Sequence, residues 1–222
     1  MKKSLLASLL LIATMSFLSC EKENGKNAHQ GVQLWENGPE WATTNIGANK
    51  PEEAGLYFQW GNVTGYKPNN GSFDYAFSPE TYLGTEGSLL VGDIPADSKY
   101  DAAVALWGNG WRMPTANEFH ILQNLASEWT ENYNGSGVAG WIFRGEGEFS
   151  KNSIFLPAVS YGRESSINVS SGGLYWSSTF CPKALYGGSC SYIFTFNKGS
   201  LGVFHTSDNR MWGFPIRPVL AR

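Results

Sequence analysis

The chain is poor in the residues that most often do chemistry. It has three histidines and three cysteines in 222 residues. His29, His120 and His205 stand far apart, and the chain has no HExxH pattern, no GxSxG elbow and no phosphate-cradling glycine loop. It therefore lacks the local signatures of zinc proteases, serine hydrolases and nucleotide-binding enzymes. Glu146 and Glu148 alternate with Gly145 and Gly147, a pattern that a turn explains better than an acid/base pair. No basic block occurs either. The 16 Lys and Arg fall to 14 once Lys2 and Lys3 are removed with residues 1–19, against 19 Asp and Glu, a balance of −5. Nothing there offers the cationic surface that a phosphate backbone requires, so no nucleic-acid partner is expected. Beyond the first 18 residues no segment is apolar enough to cross a bilayer as a helix, and no clean internal repeat occurs.

What is present begins with a leader. Lys2 and Lys3 form a basic start, and Leu5 to Leu18 form an apolar core too short for a permanent membrane span. Small Ser19 then precedes Cys20, the pattern of a lipoprotein signal cleaved so that Cys20 carries lipid. Residues 1–19 are therefore expected to be a signal peptide. Residues 20–30 are polar and without apolar period, as a flexible tether would be. Residues 31–222 are long enough for one well-buried domain.

That domain is rich in glycine and aromatics, with 9 Trp, 10 Tyr and 13 Phe beside 26 Gly. Such a composition suits short strands, tight turns and long ordered loops. Strands are expected at Gly31–Trp35, Trp41–Gly47 and Leu56–Gly61, and again at Gly140–Gly145, Ile154–Ala158, Gly173–Thr179, Tyr192–Phe196 and Gly213–Leu220. Pro215 and Pro218 confine the last to an edge or an irregular pairing. Residues 62–95 hold no sustained period and read as a long loop.

Two helices are expected. Asp97 can cap the first, from Ser98 to Trp107, with Gly108 as its stop. The second opens with Thr115 and Glu118 three apart, a capping box in which each side chain satisfies the other residue's backbone N–H. Phe119, Leu122, Leu125, Ala126 and Trp129 then continue an apolar stripe to about Trp129. His120, on this helix, suits an exposed or packed position better than a metal site.

Several pieces, taken in order, resemble one family. They are Trp41-Ala-Thr-Thr-Asn-Ile-Gly47, Gly55-Leu-Tyr-Phe-Gln-Trp-Gly61, Trp107-Gly108, Trp111-Arg-Met-Pro-Thr115, Leu156-Pro-Ala158, Tyr175-Trp-Ser-Ser-Thr179 and Arg217-Pro-Val219. Together they resemble the Fibrobacter succinogenes major paralogous domain family, over roughly residues 31–221. The resemblance implies an α+β, C-type lectin-like fold: two helices packed on short antiparallel strands, with long ordered loops. It also implies a lipid-anchored or secreted protein of Bacteroidetes or relatives. Glu21 and Glu23 just after Cys20 resemble the surface-export signal of such lipoproteins, although Lys22 interrupts them. The expected place is the outer membrane, facing outward or else the periplasm. The Glu-Pro-Asn and Trp-Asn-Asp patterns of calcium-dependent sugar lectins are absent, so neither a lectin-type calcium site nor any other cofactor is expected.

In an exported chain whose Cys20 carries lipid, Cys181 and Cys190 remain as an even pair flanking a loop between two strands. A disulfide there would contribute roughly 2–3 kcal/mol by the chain-entropy model; the alternatives are two free thiols or the C-terminal Cys pair of formylglycine-generating enzymes, which share the fold but whose surrounding motifs are missing. The expected contact surface lies in the loops from 180 to 212, with Lys183, Tyr186, His205, Asp208, Asn209 and Trp212 as candidates. His205 sits in Gly202–Arg210, a stretch mixing His, Asp, Asn and Arg after the Tyr192–Phe196 strand. The expected role is non-enzymatic binding of an extracellular glycan or protein. A structural subunit of a surface or pilus-type assembly is the alternative, and an enzyme of the formylglycine-generating type a third.

Overall fold

The computed structural model describes residues 29–108, 110–168, 171–182, 190–205 and 210–220. Cys20 and the expected signal peptide lie outside them. In chain order the elements are β1 (Gly31–Gln33), β2 (Glu40–Ala42), β3 (Ser72–Phe77), α1 (Pro79–Leu83), a 3-10 turn (Glu86–Leu89), α2 (Ala102–Trp107), β4 (Trp111–Arg112), α3 (Ala116–Leu122) and β5 (Ser127–Thr130). After these come β6 (Gly140–Arg144), β7 (Ser153–Pro157), β8 (Tyr161–Asn168), β9 (Gly173–Phe180), β10 (Ser191–Asn197), β11 (Ser200–His205) and β12 (Val219–Leu220). All the paired strands are antiparallel, in sheets ordered β1-β2-β12-β4, β11-β10-β9, β5-β6-β7 and β3-β8. The architecture is α+β, with few and short helices.

The capping box forms. Thr115 Oγ1 accepts from Glu118 N–H at 3.1 Å, and Glu118 Oε2 accepts from Thr115 N–H at 2.7 Å. Arg112 then grips the same carboxylate with both terminal guanidinium nitrogens, Nη1 and Nη2. The helix is shorter than its apolar stripe suggests, ending at Leu122 rather than near Trp129. Asn124 donates its side-chain amide to His120 C=O at 2.8 Å, and Asn124 and Leu125 N–H close tighter turns on Ile121 and Leu122. With the carbonyls satisfied there, Ser127–Thr130 is free to pair with β6, placing Trp129 opposite Trp141. Tertiary pairing outweighs local helix period.

Other expectations shift in the same way. Asp101, not Asp97, caps the first long helix, accepting from Ala103 and Val104 N–H. Residues 62–95 are no plain loop: Phe73, Tyr75 and Phe77 put rings at every second position of β3, and Ser78 caps α1. Leu56–Gly61 makes only single bridges, Tyr57 to Tyr66 and Phe58 to Phe214. The strand expected over 213–220 is regular only at Val219–Leu220, and it lies inside its sheet between β2 and β4 rather than at an edge. That is compatible with proline because Pro215 and Pro218 precede the two paired residues. At the end of the expected tether, His29 stacks on Trp107 with ring centroids 3.6 Å apart.

Among the described residues two large aromatic cores result, beside a smaller cluster of Tyr57, Phe73 and Phe77. In one, α3 lies across one face of β9-β10-β11, with Phe119 stacked on Phe194 at 4.7 Å and Trp41 beside it. In the other, Phe58, Trp60, Trp111, Trp176 and Phe214 cluster. Indole N–H groups tie distant segments there: Trp60 Nε1 donates to Ser177 C=O at 2.8 Å, and Trp176 Nε1 to Phe58 C=O at 2.6 Å. The opposite face of β9-β10-β11 meets this second core at one end and opens to solvent at the other.

Candidate functional site

That opening is the groove of interest. Strand register builds its floor. Ile193 pairs with Phe204, and Thr195 lies between Leu174 and Gly202, so their side chains share the face opposite Phe194 and Phe196. Trp212 and Phe214 form one wall and His205 one end, enclosing about 350 Å³. Phe204 leaves 54% of its surface in water, unusual for a ring so placed. Gly202 makes its pose feasible: a Cβ there would come within 2.8 Å of the Phe204 ring.

The Trp212 wall is held from behind. Gly162 and Gly213 exchange backbone hydrogen bonds at 2.8 and 2.9 Å across the Phe77 ring, an approach that Cβ atoms would block at about 2.5 Å. This brings Tyr161 of β8 onto Trp212, centroids 5.5 Å apart, and sets the exposed Arg163 guanidinium 5.5 Å from the same indole. His205 packs edge-on to Tyr192 at 5.2 Å. The groove is thus mostly apolar, with the Thr195 hydroxyl and the nearby Arg163 as its polar side chains; strand alternation turns the His205 ring to the other face, against Tyr192, so His205 borders the groove from the end of β11.

Of the six contact candidates, His205 and Trp212 come together in this groove. His205 belongs to β11, not to a loop, because Ser200–His205 pairs along its length with β10. Lys183, Tyr186, Asp208 and Asn209 lie outside the described residues. Arg210, part of the polar stretch read from the sequence, is no surface group. It is buried, donates to Gly87 C=O at 2.7 Å and Leu90 C=O at 3.1 Å, and lies 4.3 Å from the Trp60 ring. Phe204, Leu174, Tyr161 and Arg163 carry no motif that marks them in the sequence. The one legible signal was the bulky Phe204 following Leu201 and Val203 out of phase.

Cys181 and Cys190 are joined in a disulfide, Cα atoms 5.5 Å apart, one residue beyond the last β9–β10 pair, Phe180 and Ser191. Both are fully buried.

Titratable groups away from the groove are strongly perturbed. Burial pushes the Asp101 carboxyl up to about 6, against the pull of N–H donors from Met113, Val104 and Ala103 and of the Arg112 charge. Burial lowers Arg217 to about 10; it donates to Asn45 Oδ1 and Ala42 C=O. These groups hold the scaffold together. Among the described residues no three His, Cys, Asp or Glu side chains converge as a metal site. A second hollow of about 380 Å³ is lined by Glu36, Glu146 and Glu148. It gathers like charges without a counter-ion in its lining.

The site therefore defines a class: an α+β module with a ring-lined groove on a rigid antiparallel sheet. Comparison of the chain with models of protein families, with curated proteins and with solved structures finds no match.

Proposed function

We propose that this protein is a lipid-anchored, surface-displayed binding module of C-type lectin-like fold, related to the Fibrobacter succinogenes major paralogous domain family. It takes an extracellular glycan or protein through the groove on β9-β10-β11. The observation that carries the proposal is Phe204: a large ring kept in water over a preformed apolar hollow, on a sheet whose other face is packed against α3. A rigid sheet presents such a ring at little entropic cost, and exposed aromatics dominate binding surfaces. Support for the lectin-like fold comes from β12, which returns beside β2 and draws both ends of the domain into one sheet. Anchoring would follow from Ser19-Cys20.

Two measurements test it. Expressed in a bacterium that lipidates such signals, the chain should gain the mass of a diacylglyceryl group and fractionate with membranes, and Cys20→Ser should abolish both; an unmodified Cys20 would remove the anchor. On glycan and extracellular-protein arrays, Thr195→Arg, which fills the groove with a charged chain, should cut binding at least tenfold. Unchanged binding by that variant, with its melting temperature preserved, would remove the groove as the contact surface.

A further inference from the structure

The outer edge of β11 runs beside the groove. Among the described residues β11 pairs with β10 alone. The hairpin turns through Lys198 and Gly199 and closes on the Asn197–Ser200 pair. In an antiparallel ladder hydrogen-bonded pairs alternate with non-bonded ones. Ser200, Gly202 and Phe204 therefore spend their backbone groups on β10, while Leu201 and Val203 turn N–H and C=O outward. No described group takes them up. The Gln123 side chain lies against this edge, its Oε1 3.6 Å from where a Gly202 Cβ would be, but it leaves the backbone groups unpaired, and such an edge is what an extended chain adds to once that side chain swings aside.

We propose that the groove and this edge together receive an extended segment of another protein. The segment adds as a strand beside Leu201 and Val203, sets one bulky apolar side chain against Phe204 and Trp212, and brings a carboxylate to Arg163. This rests on the groove being the contact surface and goes further by naming the occupant. Three observations favour a peptide over a sugar. The lining offers one side-chain hydroxyl, that of Thr195, too few groups for the several hydroxyls a pyranose must keep hydrogen-bonded when it leaves water. The open edge matches a backbone, which a sugar lacks. Arg163 is exposed beside the Trp212 wall and makes no ion pair among the described residues, so it supplies charge complementary to an acidic neighbour of the anchor residue.

The test is selection from a random twelve-residue peptide display library on the purified full-length chain, run beside a glycan array. Enriched peptides should share a bulky apolar residue next to Asp or Glu. A synthetic copy should lose at least tenfold in affinity on Thr195→Arg or Phe204→Ala, and about fivefold or more on Arg163→Glu. Phe204 is exposed and Arg163 lies at the surface, so neither of their variants threatens folding. Hydrogen exchange at the Leu201 and Val203 amides should slow on peptide binding. Peptides that bind all three variants equally, or that leave those amides unprotected, would overturn the proposal. A glycan whose binding Thr195→Arg abolishes, with no peptide enriched, would overturn the peptide occupant and keep the groove. If neither glycan nor peptide binding responds to Thr195→Arg, the groove falls with it.

Discussion

Asp101 shows how one buried side chain can organise a junction. Its carboxylate caps α2 through Ala103 and Val104 N–H and reaches across to Met113 N–H at 2.8 Å, just before α3. Full burial raises its pKa to about 6 from the ordinary 3.8. Between those values the folded chain holds the proton more tightly than the unfolded one. The resulting stabilisation is fully present below 3.8 and is lost as pH rises through 6. Its size is on the order of 3 kcal/mol. Denaturant midpoints at pH 7, 5 and 4 should therefore show the wild type gaining on an Asp101→Asn variant as pH falls. The amide keeps one acceptor for the cap but turns its NH2 on the Met113 N–H, so the variant should be weaker throughout; a gap independent of pH would refute the assignment. Arg217 makes the complementary point. It is a buried cation holding Asn45 and Ala42 to the C-terminal segment. Arg217→Ala should cost at least about 3 kcal/mol, from the cavity and two orphaned acceptors. A loss under 1 kcal/mol in an equilibrium unfolding titration would contradict that role.

At the scale of elements, α3 and the β9–β10 hairpin are held in different ways. The start of α3 is a side-chain device. Thr115→Ala should cost about 1 kcal/mol. A double-mutant cycle between Arg112 and Glu118 should give a coupling above about 1 kcal/mol, since both are largely buried and meet in a two-point fork. The hairpin is held covalently: mass spectrometry of alkylated native protein should find Cys181 and Cys190 unmodified until a reductant is added. Two thiols labelled without reductant would remove the bond. The capping box was legible because its residues are three apart in sequence. The end of α3 was not, because residues 127–130 are decided by β6, which lies ten residues on. The first core face of β10 was legible in the alternation of Tyr192–Phe196, but its open second face was not, since the same pattern serves a strand covered on both sides.

For the whole molecule, long-range closures matter most. The C-terminal Val219–Leu220 completes a sheet begun by residues 31–42, while Trp60 and Trp176 bridge segments more than a hundred residues apart. A chain truncated after Pro215 loses Arg217 and β12 together. It should show no cooperative thermal transition and no near-ultraviolet signal from packed tryptophan; a sharp transition near the wild-type temperature would show the C-terminal strand to be dispensable. Such closures also explain which candidate residues meet. His205 and Trp212 converge because β11 and the 210–214 segment border one sheet face, and Arg163 joins them because β8 bridges to Gly213.

The sequence by itself determined what rests on near neighbours: the α+β character, the box at Thr115 and Glu118, the strand cores at Gly140–Arg144 and Tyr192–Phe196, and the absence of the local motifs of the commonest enzymes. Each depends on side-chain period or on a spacing of a few residues, which a linear chain displays directly. Only the tertiary structure decided that Phe204 stays in water, that Arg210 is buried beneath the 86–90 turn, that Asp101 caps the helix in place of Asp97, and that the last strand lies inside its sheet. Those outcomes follow from which segments pack against each other across the whole chain. Burial and free edges are properties of that packing, and no local pattern encodes them.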